Sequence, residues 1–349
     1  MRLTAVSAWT VAALTALAAL AAVGAYLWRS FDQPLPMGPS RVEFRVTNGA
    51  TARSIARAVR GAGVEINELE FIAAARATGA TRQLRAGRYA IDRGMSINAL
   101  VAMLKRGDVL RERLTVVEGS TFQDLRAQLA STAELQHDTG RLSDSQLLRA
   151  LGASQAHAEG LFAPDTYVFD PGSSELELLR RAYREQAERL ARAWNERSPG
   201  LPYRDAYEAL IMASIIEKET GRPDERRLVA GVFVNRQRRG MALQTDPSVI
   251  YGLGGRFDGR LHRRDLETDT PYNTYLRAGL PPTPIGLPGR ASIEAALNPD
   301  KTTALYFVAR GDGSSEFSAT LAEHNRAVDR YQRAGVGSSG APGQPGLND

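Results

Sequence analysis

The chain has 349 residues, longer than one average domain, and 43% of them are apolar, ample material for a core. It has no cysteine, which excludes disulfides, thiol nucleophiles and thiolate zinc sites, and its four histidines (His137, His157, His262, His324) lack metal-ligand spacing. The net charge of +5 is spread along the chain, and all but three of its 44 basic residues are arginine, with no run suited to nucleic acid.

From Ala5 to Trp28 the sequence carries no charge, and the run exceeds the roughly 20 residues that span a hydrocarbon core. Arg2 and Arg29 flank it, and Trp9, Tyr26 and Trp28 lie near its ends, as interfacial aromatics do. A cleaved signal peptide is the alternative, since AAVGA offers small residues for cleavage; the length of the run and the Trp28–Arg29 stop favour an anchor over residues 1–30. A single N-terminal membrane helix suits a chain whose large remainder is exported.

Residues 31–40 contain QPLPMGPS and read as a linker. Residues 41–108 predict a small α+β unit: an alternating strand at 41–48, a helix after Thr51, a second helix at 68–78, a strand at 84–91 and a helix capped by Ser96. Residues 109–200 read as a connecting region, with a strand in LTVVEG, short amphipathic helices over 120–160, an aromatic segment LFAPDTYVFD, and a long charged helix at 174–197. Residues 201–333 carry the densest set of unusual motifs, and the Gly/Pro/Ser-rich tail 334–349 has nothing to bury, so disorder is expected there.

Within 201–333, the segment DAYEALIMASIIEKETGRPDE predicts a buried helix with no charge from Ala209 to Ile216, capped at Gly221. Glu217 falls in its last turn, one turn beyond the small residues Ala213 and Ser214, which leave room for a ligand. Burial and the negative end of the helix dipole both disfavour a carboxylate there, so a protonated Glu217 could donate a proton to a glycosidic oxygen. A solvent-facing helix end is the competing reading, and periodicity does not choose between Glu217 and Glu219. Gln244, Thr245 and Asp246 are predicted to leave the next helix just before Pro247, as short polar side chains suited to sugar hydroxyls and acetamido groups. Asp265, Glu267 and Asp269 follow, then TPYNTY and GLPPTPIGLPG, whose prolines and glycines make a rigid irregular loop. Such loops beside a buried acid suit a groove wall, although a loop that merely packs would look the same.

The segments ASIIEKET (213–220), VFVNR (232–236), LQTDPSVIYG (243–252), LETDTPYNTY (266–275), GLPPTPI (279–285), LYFVA (305–309) and FSATLAEHN (317–325) resemble the MltG (YceG-like) family of endolytic murein transglycosylases. LRAGRY (84–89), GMS (94–96), VVEGST (116–121) and APDTY (163–167) match upstream, in the family's order. Thr283, Gly286 and Leu287 depart from the family's more usual Gly, Ala and Asn. The resemblance implies an N-terminal transmembrane helix, a small LysM-like α+β domain and a mixed α/β catalytic domain, held on the outer side of the cytoplasmic membrane. It selects Glu217 as the catalytic residue, with substrate contacts expected at Ser214, Gln244, Thr245, Asp246, Tyr251, Glu267, Asn273 and Tyr275, and no metal or organic cofactor. The implied substrate is the peptidoglycan glycan strand, and the implied partners are peptidoglycan synthases (penicillin-binding proteins). The implied reaction cleaves the bond between N-acetylmuramic acid and N-acetylglucosamine without water, leaving 1,6-anhydro ends that terminate nascent strands. One carboxylate suffices because the substrate's own O6 attacks; a muramidase-type hydrolase would recruit a second, with Asp246, Glu267 and Asp269 available. A non-catalytic cell-wall binding protein is the third possibility.

Overall fold

The computed structural model describes residues 12–19, Gly24 and 29–333. Most of the Ala5–Trp28 run, and the tail from 334 expected to be disordered, lie outside them; among the described residues no helix is long and apolar enough to cross a membrane. The described chain forms two compact units, one running to Arg113 and including Val168–Gly172, the other Leu114–Tyr167 and from Ser173 onwards. Hence residues 114–167 and 173–200, expected as a connector, belong to the same unit as the motif-rich segment 201–333.

In the first unit, β1 (Val42–Val46) pairs antiparallel with β2 (Gly87–Ile91), setting Phe44 opposite Tyr89 with rings stacked at 5.7 Å. Between the strands come α1 (Ala52–Gly61) and α2 (Glu68–Ala77), and after β2 comes α3 (Ile97–Arg106). Thr51, Asn67 and Ser96 cap these helices, each side chain accepting a backbone N–H of the first turn. One apolar stripe per helix (Ile55, Ala56 and Val59; Phe71, Ala74 and Ala75; Leu100, Val101 and Leu104) closes on the inner sheet face as a single core. Residues 31–40, expected as a linker, pack against the first unit. Phe31 and Leu35 are buried in that core, and Leu35 N–H donates to the Met95 carbonyl at 2.9 Å. Burying each of these side chains contributes on the order of 2 kcal/mol, enough to hold a short proline-rich segment down.

The strand β3 (Glu112–Thr115) pairs with β4 (Thr166–Phe169). The second unit is mainly helical: α4 (Phe122–Ser131), α5 (Asp144–Leu151), α6 (Glu175–Asn195), α7 (Ala206–Glu219), α8 (Arg226–Arg238), α9 (Asp246–Leu253), the short α10 (Arg263–Leu266) and α11 (Arg290–Leu297). The antiparallel hairpin of β5 (Tyr306–Ala309) and β6 (Ser315–Ser318) follows, then α12 (Leu321–Val328). The expected mixed α/β catalytic domain is therefore α+β: its strands occur as two-stranded ribbons, and helix-on-helix packing makes the core.

The axis of that core is α7. Every residue from Ala209 to Ile216 is buried, as an all-round apolar helix requires, with α6, α8, α9 and α11 packed about it. Asp205 caps its start by accepting Glu208 N–H at 2.9 Å. The end differs from expectation. The helix stops at Glu219, and Thr220, in extended conformation, is the capping residue in place of Gly221.

Candidate active site

Glu217 stands at the last turn of α7, where two loops meet. Gly119 N–H donates to the Leu287 carbonyl at 2.8 Å, and Leu287 N–H donates to the Ser120 carbonyl at 2.7 Å, so residues 117–120 and 286–287 run as a paired clasp. Glycine is what lets the clasp close. A Cβ on Gly286 would stand 2.9 Å from the Gly119 carbonyl oxygen, and one on Gly289 only 2.0 Å from Glu118 Oε1. Beneath it the Glu217 side chain is 7% exposed. Its Oε2 accepts the Gly289 N–H at 2.8 Å, and its Oε1 lies 3.8 Å from Arg226 Nη2. Gly289 is the N-cap of α11, so Glu217 sits between the negative end of one helix and the positive end of another.

The sequence argument for Glu217 invoked burial and the α7 dipole alone. The fold adds two partners that the sequence argument did not include, the Arg226 guanidinium and the Gly289 amide N–H. The room expected over Ala213 and Ser214 is also filled. Both residues are fully buried, and Ser214 Oγ accepts Ile285 N–H at 3.0 Å, tying α7 to the 283–289 loop.

Glu219, two residues on, leaves the helix in a different direction. Burial, reinforced by the Asp246 charge and opposed by Arg236, pushes its carboxyl up to about 8. It forms no hydrogen bond or ion pair among the described residues. Asp246 accepts the Tyr275 hydroxyl at 2.6 Å, and burial together with Asp246 holds that phenol well above its usual range. Arg236 is buried on the same side, its Nε donating to the Leu305 carbonyl at 2.6 Å and its Nη1 to the Leu243 carbonyl at 2.7 Å and to Gln244 Oε1 at 3.3 Å. Gln244 itself has φ +52, a left-handed conformation uncommon for glutamine, immediately before the next helix. Gln244, Asp246, Tyr275 and Glu219 thus form one polar cluster around Arg236.

Other expected contact residues have framework roles. Thr245 and Asn273 are fully buried: Thr245 caps α9, and Asn273 Nδ2 donates to the Leu266 and Thr268 carbonyls at 2.8 Å each. Asp246 and Pro247 open α9, where the sequence suggested an irregular loop, because proline at the first turn suits a helix start. Buried Ser214, Thr245 and Asn273 therefore offer no side-chain surface to a sugar. Glu267 is 67% exposed and faces Arg263 at 3.4 Å, while Asp269 pairs with Arg277 at 2.8 Å. Tyr251 donates its hydroxyl to Glu159 Oε2 at 2.9 Å, and Glu159 Oε1 accepts Phe122 N–H at 2.9 Å. Burial pushes the Glu159 carboxyl up to about 7. Glu159, Phe122, Tyr251 and Tyr272 line a cavity of about 410 Å³.

Glu118, Glu159, Arg226 and Gly289 were not singled out by sequence reasoning. Glu118 lies within the quoted VVEGST segment, and a charged residue next to a turn glycine was a usable signal. Arg226 sits in the charged run RPDERR, where nothing local distinguishes it. Among the described residues no group of His, Asp and Glu side chains is arranged to hold a metal ion.

The model of the YceG-like family matches residues 44–330, and the chain belongs to that family. An endolytic murein transglycosylase of Bacillus subtilis (strain 168) is 31% identical over 327 residues, spanning 88% of this chain and 90% of the relative. One from Streptococcus pneumoniae (strain D39) is 27% identical and spans 93% of this chain, which covers 65% of that longer protein. A crystal structure of a YceG-like protein from Listeria monocytogenes is similar at a TM-score of 0.55 and 29% identity, covering 83% of this chain and 99% of that one.

Proposed function

We propose that this chain is an endolytic murein transglycosylase, a lyase that cuts peptidoglycan glycan strands between N-acetylmuramic acid and N-acetylglucosamine. Glu217 is its acid and then its base: it protonates the leaving glycosidic oxygen, and the resulting carboxylate takes the proton from the muramic O6, which bonds to C1 as the C1–O bond breaks. The products are a 1,6-anhydro end and a free hydroxyl on the departing strand, with no water consumed. The observation that carries this reading is the placement of Glu217, a buried carboxyl beneath two glycine loops whose partners, Gly289 N–H and Arg226, stabilise the carboxylate left by the first proton transfer.

A second reading follows from Glu219, whose carboxyl burial holds largely protonated at neutral pH and which has Asp246 nearby. A protonated acid beside a second carboxylate is the equipment of a hydrolase. Mass spectrometry of digested glycan decides between these, since the two products differ by one water. Glu217→Gln is expected to abolish anhydro ends, and Glu219→Gln to leave them. The reverse pattern would transfer the acid to Glu219, and products that all carry the added water would replace transglycosylation with hydrolysis.

The Ala5–Trp28 run supports an anchor in the cytoplasmic membrane with the remainder on its outer side. The order strand, two helices, strand over 42–91 supports a LysM-like unit that adds affinity for glycan; deleting it should weaken retention on insoluble peptidoglycan. Strand termination beside penicillin-binding proteins accords with a nascent-strand substrate, and co-purification with a synthase after membrane crosslinking tests it.

A further inference from the structure

Beside Glu217 lies a cavity of about 610 Å³ that the reaction above does not use. It is bounded by the second half of α6, the start of α8 and the first turns of α11, all within the second unit. Its lining carries five arginines against three glutamates. Arg189, Arg227 and Arg290 face carboxylates, at 2.6 Å from Asp165, 3.2 Å from Asp300 and 2.7 Å from Glu294 respectively. Arg192 forms no ion pair among the described residues. Arg226 is 9% exposed, its Nε is buried without an acceptor, and among the described residues its one ion pair is the 3.8 Å approach to Glu217. A guanidinium so weakly partnered has unused capacity, since five donors in a planar fork suit a bidentate carboxylate.

We infer that this cavity is a subsite for the carboxylate-bearing substituent of the muramoyl residue whose C1–O bond is cut. The inference deepens the transglycosylase reading and rests on it for the identity of the ligand. The chemistry of that substrate supplies the match. The sugar that reacts at C1 carries its acidic lactyl-peptide arm on C3 of the same ring, so the arm must leave the catalytic glutamate within a few ångströms. Arg226 spans that interval here, lining the cavity while facing Glu217. The volume is in the range of small-molecule sites, enough for a short peptide arm and not merely an ion. Arginines in salt bridges with exposed carboxylates can exchange them for a ligand carboxylate at little cost, because surface pairs are worth little.

The test uses uncleavable ligands, so that it does not depend on turnover. Binding of N-acetylmuramoyl-peptide, N-acetylmuramic acid and N-acetylglucosamine to the full chain is followed by NMR titration, for the wild type and for Arg192→Ala. The acidic muramoyl ligands are expected to bind about tenfold more tightly than N-acetylglucosamine, and Arg192→Ala to remove most of that advantage at unchanged Tm. Tighter binding of N-acetylmuramic acid than of the peptide conjugate assigns the lactyl carboxylate, which is free only in the former, and preference for the conjugate assigns the carboxylates of the stem; either supports the subsite. Equal affinity for all three ligands, or an Arg192→Ala protein that retains the full discrimination, overturns it. Discrimination that survives in a protein yielding no anhydro ends would leave the subsite standing and overturn only the transglycosylase reading.

Discussion

Burial raises two carboxyls of the second unit above the ordinary glutamate range, and the shift has a measurable consequence. Burial pushes Glu159 up to about 7 and Glu219 up to about 8, against an ordinary glutamate value of 4.5. Below that ordinary value the folded and unfolded states are both protonated at these positions. As pH rises through it the unfolded chain ionises first, so stability falls between about pH 4.5 and 8 and the whole penalty is present above that window. Glu159→Gln keeps an acceptor for Phe122 N–H and offers Tyr251 a donor in place of an acceptor. Its Tm should therefore rise relative to wild type as pH goes from 5 to 8, by roughly 5 °C at the upper end. A Tm difference that stays flat across that range in differential scanning calorimetry would remove Glu159 from the titrating groups. Glu217 could not be assessed from the sequence in the same way. Its position in α7 was legible from an apolar run ending in charge, but Arg226 is nine residues along the chain and Gly289 is 72 residues away, and the electrostatics depend on both.

At the scale of elements, α7 was readable almost to the residue because eight consecutive buried positions leave no polar face to misassign. Its termination was not, since Gly221 has the right identity for a cap but the chain turns extended at Thr220, one residue earlier. The glycines around α7 separate packing from chemistry. Gly231 in α8 has the Asp300 carbonyl oxygen 2.6 Å from where a Cβ would stand, and no clasp residue among the nearest atoms. Gly231→Ala should cost about 1–3 kcal/mol of stability, seen as a lower Tm, with kcat little changed once the protein is folded. Gly286→Ala meets the Gly119 backbone and should part the two loops over Glu217, lowering kcat for anhydro-end formation more than it lowers Tm. If both variants merely lower Tm, the clasp has no bearing on the chemistry. The irregular character of 270–289 was predictable from its prolines and glycines. That Thr274 and Ile285 anchor it to fixed points was not, because those anchors are hydrogen bonds to residues 29 and 71 positions away.

For the whole molecule, the anchor reading makes a direct prediction. Full-length chain should fractionate with membranes, and a chain lacking residues 1–28 should appear in the soluble extracytoplasmic or lysate fraction with its transglycosylase activity on soluble glycan retained. Full-length protein recovered in the soluble fraction at low salt would remove the anchor. The sequence by itself determined the apolar N-terminal run, the helices and strands of the first unit, the apolar helix that carries Glu217, the family and the candidacy of Glu217, because each is written in local periodicity, capping residues and contiguous motifs. Tertiary structure alone decided that Phe31 and Leu35 join the first core, that residues 114–167 share a unit with the motif-rich segment, and that Ser214, Thr245 and Asn273 serve the framework. It also brought Arg226 and Gly289 to Glu217. The physical reason is common to all of these: burial, desolvation and charge pairing depend on what arrives from elsewhere in the chain, and a one-dimensional pattern records only which face of an element is apolar.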